Sequence, residues 1–196
     1  MKIIDEINEI ANSIQKVQDE IDLIYENGQK ELLDDKIFEL FSLKKKLLLL
    51  EKKAYLEMEP SIVGEKIDLY LQNIHDMNDK DASVYKYYIA LHGTKKIIGQ
   101  IDARFKLLES ELYLGNIGAH IDEEYRGKRY SKQAFLLLRD ELLEHGVKKP
   151  IFTVKSDNQK SINSLSNIGA QKTGEFVHDG LINYIYEYDL ENGKNK

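Results

Sequence analysis

The chain has 196 residues, 42% hydrophobic and 32% charged, with a formal net charge of -6 at pH 7; it can bury a core, and its acidic balance argues against general affinity for nucleic-acid backbones or anionic membranes. It has no cysteine, which excludes disulfides, thiolate metal sites and cysteine nucleophiles. Its five histidines, His75, His92, His120, His145 and His178, show no paired ligand spacing, so no metal is expected.

In chain order, MKIIDEINEI carries Asp5, Glu6 and Glu9 where a signal peptide needs apolar residues. The longest apolar run, LLLL at 47–50, is far short of a membrane span, and a cytoplasmic protein without membrane contact is the expectation. From Ile3, apolar residues recur at Ile7, Ile10, Ile14, Val17, Ile21 and Ile24, which places them on one seam of a helix. Asn27-Gly28 reads as that helix's end. Leu33, Ile37, Leu40, Leu43, Leu47, Leu50 and Ala54 then repeat the spacing. Residues 1–59 are therefore predicted to form an antiparallel, coiled-coil-like helical hairpin. Phe38, Phe41, Leu48 and Leu49 lie off the second seam, so this helix is expected to pack on the rest of the protein or on another subunit as well. A homo-oligomer through residues 1–59 follows as an expectation. Lys44, Lys45 and Lys46 read as a solvated face.

The only two prolines are Pro60 and Pro150. PSIVG at 60–64 breaks the helical period, which sets a second domain at 60–196. Strands are predicted over 66–74, 83–91, 95–105 and 110–121 as an antiparallel meander. Tyr85, Tyr87 and Tyr88 then read as a two-faced strand rather than an aromatic cage. A helix in RYSKQAFLLLRDELLEHG ends at His145-Gly146; a strand over 151–155, a helix from Asn158 to Ile168 closed by Gly169, and strands over 172–177 and 182–188 follow. The NGKNK tail reads as disordered. The predicted fold class is α+β: a mixed, mostly antiparallel sheet with one parallel βαβ crossover, preceded by the two-helix hairpin.

YRGKRYSKQA, residues 125–134, concentrates four cations and a glycine ahead of a helix in this acidic chain. A turn from a strand into a helix leaves backbone N–H groups unpaired and carries the positive end of the helix dipole, a natural seat for phosphate. Gly127 lets the chain turn tightly, Arg126, Lys128, Arg129 and Lys132 add charge, and Ser131 adds a hydroxyl. On spacing alone, the competing reading is a solvated basic loop offsetting Asp122, Glu123 and Glu124.

Taken with its surroundings, the stretch resembles the coenzyme-A-binding core of the GNAT superfamily of N-acetyltransferases. The resemblance covers roughly residues 62–190 and is carried by GNIGAHIDEEYRGKRYSKQAFLLL and DNQKSINSLSNIGA. Arg126 takes the first position of the family's phosphate loop, Arg129 stands where the family usually has its central glycine, and Ser131 stands for the final glycine or alanine. The resemblance implies acetyl-CoA as co-substrate. It implies that the backbone of Ala119, His120 and Ile121 pairs with the pantetheine arm and that Gly127, Lys128, Arg129, Tyr130, Ser131 and Lys132 cradle the pyrophosphate. Asn158 would contact the pantetheine side, with Ser161 at the small position three residues on. It also implies two central parallel strands that splay and free a backbone N–H for the thioester oxygen.

The family's usual catalytic glutamate and tyrosine positions hold Thr153 and Leu165 here, so the acid and base are unknown. His120, Glu111, Tyr113, Ser164, Tyr184 and Tyr186 are the side chains that could substitute, each with a structural reading that is preferred. The expected function is acyl-CoA-dependent N-acyl transfer to a primary amine of a small molecule or peptide. The alternative is a non-catalytic CoA-binding or protein-interaction module of the same fold, assembled through its helical arm.

Overall fold

A computed structural model describes residues 2–76 and 83–192, and the chain divides at Met58/Glu59 into two units. The end of the NGKNK tail, from Gly193 on, lies outside the described residues. No helix among the described residues is long and apolar enough to cross a membrane.

The first unit is a helical hairpin of α1 (Lys2–Glu26) and α2 (Leu33–Glu57), joined through a 3-10 turn at Lys30–Leu32. α1 ends as the sequence predicts: Gly28 takes φ 70°, Gly28 N–H donates to Tyr25 O at 3.2 Å and Gln29 N–H to Ile24 O at 3.1 Å. A glycine in this left-handed conformation closes a helix at little steric cost. On the α1 seam, Ile10 and Val17 are buried, and Lys36 Nζ on α2 bridges to Glu20 Oε2 on α1 at 2.6 Å.

The second unit holds two sheets. The first is antiparallel in chain order: β1 (Ile62–Val63), β2 (Ile67–Asp76), β3 (Ser83–Leu91), β4 (Ile97–Phe105) and β5 (Ile117–Ile121). The second is β6 (Ile151–Lys155), β8 (Leu181–Glu187) and β7 (Gln171–His178), in that spatial order. Between β5 and β6 the chain forms α3 (Tyr130–Leu137) and α4 (Arg139–Glu144), and α5 (Gln159–Ile168) precedes β7. Alternation along the strands puts Leu69, Tyr87, Ile89, Ile101, Ala103 and Ile117 into one core with Ala134, Phe135, Leu138 and Leu142 of the crossover helices. The residues 134, 138 and 142 repeat every four positions, one stripe of a helix. On β3, Tyr87 belongs to this core while Tyr88, one residue on, is buried on the other face, as expected of a two-faced strand.

Two elements depart from expectation. The predicted strand at 110–121 is a 3-10 helix at Glu109–Leu114 followed by the short β5. Glu111 holds the helix by accepting from Leu108 N–H through Oε2 at 2.9 Å, while its own N–H donates to Leu108 O at 2.9 Å. The predicted single helix of RYSKQAFLLLRDELLEHG is two, because Leu138 N–H is shared between Ala134 O at 3.3 Å and Phe135 O at 3.1 Å, a local tightening that bends the rod.

Candidate acyl-CoA cleft

β5 and β6, the two ends of the crossover, touch only where they begin. Asn116, buried just ahead of β5, donates its N–H to Ile151 O at 2.7 Å and accepts from Ile151 N–H through Oδ1 at 2.9 Å. Its Nδ2 donates to Arg104 O at 3.0 Å, and its own carbonyl accepts from Arg104 N–H at 2.7 Å. One side chain thus ties β4 to β6 across the head of β5. Gly115 makes the approach feasible: a Cβ there would lie 2.9 Å from Ile151 O, and its φ of 68° is a conformation glycine adopts without strain.

Beyond this junction the strands part, because β5 ladders only with β4 and β6 only with β8. Asn116 O and Asp122 N–H bond to β4, so alternation directs the backbone groups of Gly118 and His120 to β4 and those of Ile117, Ala119 and Ile121 away from it. On the other side, Ser156 N–H donates to Ile182 O and Tyr188 N–H to Pro150 O, which by the same parity turns the backbone groups of Thr153 and Lys155 away from β8. Between the strands lies a cleft of about 480 Å³. Gly118 and Ala119 line it from β5, Thr153 and Lys155 from β6, Ser131 and Lys132 from the start of α3, and Asn158 and Ser161 from the start of α5.

The turn into α3 is built by three devices. Tyr125 is buried and anchors it, with the ammonium groups of Lys96 and Lys128 over its ring at 5.1 and 5.6 Å. Arg126 Nε donates to Ile121 O at 2.8 Å, covering one backbone group that β5 turns outward. Arg129 then enters the helix at φ 62° and ψ 23°, and its own side chain makes no capping hydrogen bond. The first bond across it is Gln133 N–H to Arg129 O. The residue that stands where the resembled family has glycine therefore adopts the backbone that glycine would supply. α5 opens differently, with Asn158 Oδ1 accepting from Ser161 N–H at 3.2 Å as its cap.

Of the residues singled out for cofactor binding, Ala119, Ser131, Lys132, Asn158 and Ser161 line the cleft. Ile121 ends β5, Arg126, Gly127, Lys128 and Arg129 form the turn ahead of α3, and Tyr130 opens that helix; none of them is part of that lining. His120 directs its backbone to β4, and its exposed ring lies 3.6 Å from Asp122 Oδ1. Among the side chains that could replace the usual acid and base, only Ser164 lines the cleft. Glu111 braces the 3-10 helix, Tyr113 stacks on His178 at 4.7 Å, Tyr184 sits under Lys172 Nζ at 3.5 Å, and Tyr186 is buried. No carboxylate, histidine or tyrosine lines the cleft among the described residues. Asn116 escaped sequence reading altogether; an asparagine directly after a glycine at a strand start was the available signal.

A larger depression of about 640 Å³ lies beside the end of α5, bordered by Lys149, Glu187 and Asp189. The narrower cleft is the stronger candidate, since it alone combines strand edges with the starts of two helices.

No protein-family model matches the sequence, and no curated protein matches it at a significant level. Solved structures do. A GNAT-family acetyltransferase from Bacillus anthracis is 22% identical, with 55% of this chain and 67% of that one covered and a TM-score of 0.46. The ribosomal-protein-S5-alanine acetyltransferase from Vibrio fischeri is 19% identical, with 57% and 64% covered and a TM-score of 0.44. A chimeric spermidine N-acetyltransferase from Vibrio cholerae is 13% identical, with 61% and 74% covered and a TM-score of 0.45. This chain spans less than two thirds of the length of the Vibrio fischeri chain. Each likeness is partial, covering 55–61% of this chain.

Proposed function

We propose that the second unit is an acyl-CoA-dependent acyltransferase, with acetyl-CoA as co-substrate and a primary amine of a small molecule or peptide as acceptor. The observation that carries this reading is the cleft that opens past Asn116–Ile151 and runs to the start of α3. A coenzyme A fits its chemistry. The outward N–H and carbonyl of Ala119 offer strand-like pairing to the pantetheine amides, and the first turn of α3 with Lys128, Arg129 and Lys132 offers N–H groups and charge to the diphosphate. The bound group would bring an activated thioester. The chain would hold it in line with an amine and turn backbone N–H groups toward the oxygen that becomes negative.

The cleft lining favours a second reading too. With Thr153 and Leu165 both lining the cleft and no carboxylate, histidine or tyrosine among the described lining residues, the unit would bind CoA without turning it over. Thiol release from acetyl-CoA, measured with polyamines, amino acids, aminoglycosides and peptides beside a CoA-binding assay, separates the two. Release with any amine supports the transferase, binding without release across the panel supports the binding module, and failure to bind CoA removes both.

A further inference from the structure

α2 presents an apolar stripe to water. Phe38 is 74% exposed, Phe41 67%, and Leu48 and Leu49 61% each. At 3.6 residues per turn, Asp34, Phe38, Phe41, Lys45 and Leu49 fall within an arc of about 80°, and Asp35 and Lys53 flank it on one common side. The stripe has polarity along its length: acidic at Asp34 and Asp35, aromatic at Phe38 and Phe41, aliphatic at Leu48 and Leu49, and basic at Lys53.

We propose that this stripe is a self-association surface, on which α2 of a second copy of the chain lies antiparallel about a two-fold axis near residues 43 and 44. In that register Phe38 meets Leu49 of the other copy, Phe41 lies under the Lys45 stem, and Asp35 meets Lys53. A two-fold antiparallel pair brings like flanks together, so Asp35 and Lys53, on the same flank, are placed to meet. A parallel pair in register would instead face Lys45 on Lys45 and Asp34 on Asp34 across the middle of the stripe, which is unfavourable. The stripe therefore selects a second copy in one direction. Two helices contributing two phenylalanines and two leucines each would bury on the order of 1,000 Å², the lower end of stable interfaces, so a reversible dimer is expected. This inference does not depend on the acyltransferase reading.

Sedimentation equilibrium of the full chain tests it, with a species of twice 22.7 kDa expected. Phe38→Glu with Leu49→Glu should raise the dimer dissociation constant at least tenfold with an unchanged helical circular-dichroism signal. Asp35→Lys should weaken the dimer, and adding Lys53→Asp should restore it, a reciprocity that misfolding cannot imitate. Because the chain has no cysteine, direction can be read by cross-linking: Asp35→Cys mixed with Lys53→Cys should form a disulfide-linked pair, and Asp35→Cys alone should not. A monomer at about 100 µM, a dimer indifferent to these changes, or efficient linking of residue 35 to itself would overturn the proposal.

Discussion

Asn116 and Ile151 are joined twice, by Ile151 N–H to Asn116 Oδ1 at 2.9 Å and by Asn116 N–H to Ile151 O at 2.7 Å. This pair of hydrogen bonds sets the apex from which β5 and β6 diverge. Asn116→Leu keeps the size but leaves Ile151 N–H and Arg104 O unpaired in a buried place. Each such loss costs about 1–3 kcal/mol, so urea denaturation should show a loss of roughly 2–6 kcal/mol, and a change below about 1 kcal/mol would mean that the apex is held by packing instead.

Arg129 carries a left-handed backbone that costs a side-chain-bearing residue about 1–2 kcal/mol. Glycine would relieve it, against an entropic penalty of about 0.5–1 kcal/mol. Arg129→Gly should therefore leave stability unchanged or raise it by up to about 1 kcal/mol, whereas Lys132→Gly inside α3 should lower it by about 1 kcal/mol. Equal destabilisation by the two glycines in thermal denaturation would contradict the turn geometry.

Asp68 is 2% exposed at the end of the first sheet. Burial alone would raise its pKa, but the His92 ring and the Gly93 and Gly64 N–H groups bond its carboxylate and hold it below the ordinary aspartate range. A group depressed in the folded state adds stability above its unfolded pKa of about 3.9 and loses it as pH falls through the folded value. The native chain should thus lose stability on acidification below about pH 4, and Asp68→Asn should be less stable at pH 7 with a shallower acid limb in pH-dependent denaturation. Parallel acid limbs for the two proteins would count against this account.

The helix ends were readable because they depend on local chemistry. Gly28, Gly146 and Gly169 each close a helix where the sequence places it. The basic turn was readable for the same reason, as a charge cluster just ahead of a helical period. The 3-10 helix was not, since S-E-L-Y-L alternates as a strand does and only the bond between Glu111 and Leu108 distinguishes it. Nor could sequence show which way a backbone group faces, the property that separates Ala119 from His120. The role of Asn116 depends on Ile151, 35 residues away, and the handedness of Arg129 has no compositional mark.

The cleft as a coenzyme A site is tested most directly by calorimetric titration of CoA into the native full chain and into Arg126→Glu with Lys128→Glu. The account predicts saturable one-to-one binding that the double variant weakens at least tenfold, about 1.4 kcal/mol, while the variant still unfolds in one cooperative thermal transition. No binding to the native chain, or equal affinity for the two proteins, would contradict it.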